Sequence, residues 1–85
     1  MAERKATVTA EVGLHARPAA TFVQAAQKSA LEITVAKPGA DPVNAKSILS
    51  VMGLDVRQGE TVVIKAEGEG AEEIVEQLAA IAEAP

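Results

Sequence analysis

Apolar and polar residues alternate early in the chain. Ala6, Val8, Ala10 and Val12 are separated by Thr7, Thr9 and Glu11, the period of a strand with one buried face. Gly13 ends that pattern. From Ala16 to about Lys28 the period lengthens, and Ala19, Phe22, Val23 and Ala26 fall on one face of a helix. Leu31, Ile33 and Val35 alternate with Glu32 and Thr34 as a second strand. The turn-rich run Lys37-Pro38-Gly39-Ala40-Asp41-Pro42 reads as a hairpin loop before a short third strand over Val43–Ala45. Ser47 is a natural N-cap for a short helix, Ile48–Gly53, with Gly53 as its terminator. Arg57-Gln58-Gly59 turns the chain into a fourth strand, Thr61–Glu67, with Val62, Ile64 and Ala66 on one face. After Gly68 and Gly70, a last helix lines up Ala71, Ile74, Val75, Leu78, Ile81 and Ala82, with Glu72 and Glu73 at its positive end.

The order β-α-β-β-α-β-α, with one-faced strands and single-stripe helices, predicts an α+β fold: an open antiparallel sheet with helices on one face. Neither repeat nor linker interrupts the chain, so its 85 residues (1–85) are expected to form one domain. A chain of this size buries only about 60% of its unfolded surface, which leaves little room for a deep cleft. Chemistry is therefore expected near the surface.

Composition removes whole classes of function. With no Cys and one His, disulfide scaffolds, thiol catalysis, iron–sulfur clusters and transition-metal sites are excluded as expectations. A net charge of −4 and a single aromatic residue argue against nucleic acid. The charge is uneven, since the first 65 residues carry a formal +2 while the last 20 hold six acids and no base. That asymmetry is the solvated face of a terminal helix, or a mildly basic surface for acidic partners. No apolar run follows the first charges, and none approaches the ~20 residues of a membrane helix. A cytoplasmic protein without membrane insertion is expected.

The chemistry concentrates in Gly13-Leu14-His15-Ala16-Arg17-Pro18-Ala19. His15 falls at the junction of strand and helix, with Pro18 in the first turn, where a missing N–H costs nothing. The unpaired N–H groups of Ala16 and Arg17 and the positive helix end make an anion site beside the imidazole, and Arg17 adds a fork for phosphate oxygens. Positive potential disfavours an imidazolium and leaves His15 a nucleophilic lone pair, so these donors suit in-line phosphoryl transfer. No phosphate-binding GxxxxGK[ST] loop is present, so the phosphoryl group must come from another protein. Taken singly, a His before a helix is usually a polar residue near a cap and Arg17 a surface residue. Their arrival together after a glycine turn carries the case.

This segment resembles the active-site signature of the histidine-containing phosphocarrier family, HPr, of the bacterial phosphoenolpyruvate-dependent sugar phosphotransferase system. Asn44-Ala45-Lys46-Ser47-Ile48-Leu49 is similar to the family's regulatory-serine segment, and the likeness spans essentially the whole chain. The resemblance implies an open-faced β-sandwich, a four-stranded antiparallel sheet with three helices on one face. It implies that His15 is phosphorylated on Nδ1 by Enzyme I, with Arg17 as phosphate partner, and hands the group to sugar-specific enzyme II A components. Such a chain is a monomeric carrier altered in each half-reaction rather than an enzyme, and no cofactor is expected.

Ser47 is explained as an N-cap, while the resemblance implies a site for a serine kinase whose product recruits a transcription regulator. Ala16, Ala20, Ile48, Leu49 and Met52 are implied as a partner-docking patch, Met being adaptable. The chain departs from the family pattern twice, in a longer hairpin at Lys37–Asp41 and in Asp55 where glycine is common; Asp tolerates left-handed backbone. Two alternatives are a paralogue in a regulatory, nitrogen-related branch and a module that only binds an anion at His15.

Overall fold

The computed structural model describes residues 1–84. Its elements are β1 (Ala2–Thr7), α1 (Ala16–Gln27), β2 (Ile33–Ala36), β3 (Val43–Asn44), α2 (Ile48–Gly53), β4 (Thr61–Ala66) and α3 (Ala71–Glu83). The strands form one four-stranded sheet in the order β1-β4-β2-β3, with every pair antiparallel. Helices cover one side. Val62, Ile64 and Ala66 of β4, Ile33 and Val35 of β2, and Ala6 of β1 face them with at most 2% exposure. They pack with Phe22 and Val23 of α1, Val51 of α2, and Ile74, Val75 and Leu78 of α3. Each large aliphatic or aromatic side chain so buried contributes about 1.5–3 kcal/mol. The opposite face carries Glu3, Lys5, Thr7, Thr61, Val63 and Lys65, a row of exposed or half-buried residues.

The first strand is shifted from its expected place. Alternation predicts a strand through Val12, whereas β1 runs from Ala2 to Thr7 because its antiparallel partner β4 begins only at Thr61, opposite Thr7. One further rung follows, in which Val8 N–H donates to the Glu60 carbonyl at 2.9 Å and Gly59 N–H donates back to the Val8 carbonyl at 2.8 Å. The in-and-out pattern survives through Val8 and Ala10, both buried, and fails at Val12, which is 60% exposed. At the other end, the polar run Glu3-Arg4-Lys5 hides a strand. Arg4 lies on the helix side and reaches α3, donating from Nε to both carboxylate oxygens of Glu76 at 2.8 and 2.9 Å. Glu76 thereby holds the guanidinium above its ordinary value.

Helix bounds agree closely with the hydrophobic stripes. Among the described residues no helix is long and apolar enough to cross a membrane. The expected domain ends at Pro85, which lies outside the described residues.

Candidate functional site

The loop after β1 is pinned to the loop after α2. Gly13 N–H donates to the Ala10 carbonyl at 2.9 Å, and Leu14 N–H donates to the Val56 carbonyl at 2.8 Å. Gly13 has φ 71, and a Cβ there would overlap the Val56 carbonyl and sit 2.9 Å from Arg57 Cα. Only glycine permits that approach. Leu14 is then fully buried, which anchors its neighbour His15.

His15 is the N-cap of α1, in extended backbone (φ −128, ψ 166), yet its side chain makes no capping hydrogen bond. Ala16, the first helical residue, has φ 50. A left-handed alanine costs about 1 kcal/mol and is held only because its surroundings leave no alternative. The first intrahelical contact closes loosely, from Ala19 N–H to the His15 carbonyl at 3.5 Å. Pro18 has no N–H, and among the described residues the Ala16 and Arg17 N–H groups have no acceptor. Two free backbone donors and the positive end of a 12-residue helix therefore stand beside the ring.

The imidazole, with its side chain 33% exposed, is not free. Its Nε2 lies 3.3 Å from Oδ1 of Asp55, whose Oδ2 is 3.2 Å from Nη2 of Arg57. The Arg57 guanidinium first, and His15 second, hold the Asp55 carboxyl below its usual range. Arg57 is itself anchored, its N–H donating to Glu60 Oε1 at 2.8 Å, while Glu60 pairs with Lys37 at 3.3 Å. That backbone N–H first, and Lys37 second, hold the Glu60 carboxyl low as well. An open depression of about 370 Å³ lies in front, lined by Glu11, Val12, His15, Asp55, Arg57 and Gln58. Among the described residues, no group of three or more metal-ligating side chains occurs.

Arg17 is exposed, one residue into the helix from Ala16, with no ion pair among the described residues. It is thus available to an incoming anion. Asp55 was legible in the sequence only as a departure that tolerates left-handed backbone, and indeed its φ is 53. Its contact with His15, 40 positions away, had no sequence signal, nor had the role of Arg57. Gly53 ends α2 without taking the left-handed turn; Leu54 is the C-cap and Asp55 makes that turn.

Ser47 caps α2 by accepting from Ser50 N–H at 3.3 Å. The start of α2 sits at the end of α1, where Gln27 Nε2 donates to the Lys46 carbonyl at 3.0 Å and Lys46 Nζ donates to the Ser29 carbonyl at 2.6 Å. The end of α2 sits at His15 through Asp55. Six helical residues, a rise of about 9 Å, therefore separate Ser47 from the imidazole side. Of the expected docking residues, Leu49 is 81% and Ile48 37% exposed. Ala16 is exposed and Ala20 half-buried on α1. Met52 is half-buried against the core. These two helices pack against each other, with Ala16 next to His15 at the start of α1 and Ile48 and Leu49 next to Ser47 at the start of α2.

Comparison with known proteins gives a consistent result. The family model described as the PTS HPr component phosphorylation site matches residues 2–84. The chain is 48% identical over 79 residues to the phosphocarrier protein HPr of Streptomyces coelicolor, covering 93% of this chain and 85% of that one. The crystal structure of HPr from Bacillus anthracis superimposes with a TM-score of 0.88 at 42% identity, covering 95% of each chain. A crystal structure of Crh, described as the catabolite repression protein of Bacillus subtilis and as a swapped dimer, gives 0.74 at 41% identity, covering 96% of this chain and 93% of that one.

Proposed function

The chain belongs to the HPr family of phosphotransferase-system carriers, and on that premise we propose that His15 accepts a phosphoryl group from phospho-Enzyme I and passes it to sugar-specific enzyme II A components. The observation that carries this reading is an N-cap histidine that does not cap. Its side chain is left for chemistry while the Ala16 and Arg17 N–H groups and the helix end await an anion. Those donors, with the exposed Arg17 guanidinium, would stabilise the equatorial oxygens during in-line transfer. The chain acts as a carrier rather than a catalyst, consumed in one half-reaction and regenerated in the next.

Ala16, Ala20, Ile48, Leu49 and Met52 form the docking patch in this reading, a small apolar surface suited to brief encounters. A cytoplasmic monomer presents it to successive partners.

The test is intact mass after incubation with phosphoenolpyruvate, magnesium and Enzyme I. One acid-labile phosphate on the wild type, absent from His15→Ala, is the expected result. An unmodified wild type beside a self-phosphorylated Enzyme I overturns the reading.

A regulatory role is the second reading, favoured by the likeness to Crh and by Ser47 lying half-buried at the opposite end of α2. Phosphate on Ser47 would place negative charge beside Ile48 and Leu49, reaching His15 only through the patch. A serine kinase and a transcription regulator would then join the partners. Failure to pass the phosphoryl group from His15 to any sugar-specific II A component would favour a regulatory, nitrogen-related branch.

A further inference from the structure

Position 55 combines a backbone suited to glycine with a carboxylate aimed at the reacting ring. Asp55 follows the C-cap of α2 in the left-handed region (φ 53), with its N–H donating to the Met52 carbonyl at 3.1 Å. Glycine would make that turn without strain. The side chain carried there instead uses both oxygens, Oδ1 at 3.3 Å from His15 Nε2 and Oδ2 at 3.2 Å from Arg57 Nη2. The loop holding it is fixed by the Leu14–Val56 hydrogen bond and by the contact of Arg57 N–H with Glu60.

Resting on the carrier reading, we infer that Asp55 is a positioning residue: its carboxylate keeps the proton on Nε2 of His15 throughout the cycle, making Nδ1 the nitrogen that takes and gives the phosphoryl group. An ionised carboxylate only accepts hydrogen bonds, so its ring partner must be Nε2–H, and in the neutral ring Nδ1 then holds the lone pair. During uptake the Nδ1–phosphorus bond forms as the donor–phosphorus bond breaks, the electron pair of the latter returning to the donor. Nε2 retains its proton, and the ring becomes a cation facing the Asp55 anion. During release the Nδ1–phosphorus pair returns to Nδ1, and the ring is neutral again with Nε2–H unchanged. No proton has to enter or leave. Because Nε2 keeps its proton, the ring departs as neutral imidazole rather than as imidazolate in the onward step.

The charged groups that line the depression with the ring are Asp55 and Arg57 from the loop after α2 and Glu11 from the loop after β1, while Arg17 lies two residues further along, on α1. Two variants separate positioning from folding. Asp55→Asn keeps the shape and the tolerance for left-handed backbone but loses the charge, and Asp55→Gly removes the side chain where glycine fits best. Each is compared with wild type and His15→Ala by rapid-quench phosphoryl uptake from phospho-Enzyme I, and by the pH profile of phosphohistidine hydrolysis. Uptake is expected to slow by about three- to tenfold in both Asp55 variants. The acid-accelerated limb of hydrolysis is expected to move to lower pH, because the phosphorylated ring binds its proton less readily without the counter-charge. Slower uptake with an unmoved hydrolysis profile would make Asp55 a structural residue only, and wild-type behaviour in both readouts would leave it no role; either overturns the inference. Wild type that takes up no more phosphate than His15→Ala would instead fail the carrier reading, and the positioning role with it.

Discussion

His15 and Ser47 occupy the same position in two neighbouring helices and use it in opposite ways. Both are N-caps in extended backbone, at φ −128 and −108. Ser47 accepts a hydrogen bond from Ser50 N–H at 3.3 Å and so satisfies one of the donors a helix start leaves open. His15 makes no such bond. Its ring turns to Asp55 instead, and among the described residues the Ala16 and Arg17 N–H groups, at a left-handed Ala16, have no acceptor. The same local geometry thus yields a side-chain cap at the start of α2 and, at the start of α1, a ring turned away to Asp55. What separates them is where the loop after α2 places a carboxylate and whether the side chain can bend back onto its own helix.

Breaking the uncapped side gives the largest effect. His15→Ala should reduce phosphoryl uptake to background while changing stability by no more than about 0.5 kcal/mol, since no capping bond is lost; thermal melting beside the mass assay checks both halves. Gly13→Ala comes next. A Cβ at φ 71 against the Val56 carbonyl is expected to cost about 2–4 kcal/mol, as strain adds to overlap. It should also slow uptake, because the Leu14–Val56 bond that seats His15 would shift. Denaturant unfolding measures the first and rapid quench the second.

Ser47→Ala sharpens the contrast from the other side. It should cost about 1 kcal/mol, as cap removal does, which is about 4–8 °C in a domain this size. Phosphoryl uptake at His15 should be unchanged, since the whole of α2 lies between the two sites. The smallest effect concerns pH. The folded-state carboxyls of Asp55 and Glu60 titrate below their ordinary values. Their contribution to stability is therefore present above the usual carboxylate range, near about pH 4, and is lost as pH falls through the lowered folded values. Melting curves collected from neutral pH down to about pH 3 should show a steeper acid loss in wild type than in Asp55→Asn.

Much of this was legible along the chain. The period of 3.6 over Ala19, Phe22, Val23 and Ala26, and the cap-and-stop signals of Ser47 and Gly53, placed α1 and α2 within a residue or so of their observed bounds. The motif at 13–19 put His15 at its cap, because a turn glycine, a first-turn proline and the start of an apolar stripe are all local features. Strand β1 was displaced because its length is set by the partner it pairs with, and its polar start hid a strand whose half-exposed Arg4 pairs with Glu76 of α3.

The sequence by itself determined the elements, the one-sided sheet and the place of His15 at the start of α1, since hydrophobic period, caps and turns act over a few residues. Only the tertiary structure decided that Asp55, 40 positions away, would meet Nε2, that Arg57 and Glu60 would hold it there, and that Ser47 would lie beyond the length of α2. Those contacts depend on how the loop after α2 folds back onto the loop after β1. A chain of hydrophobic and polar positions specifies which faces must be buried, but not which two loops meet once they are.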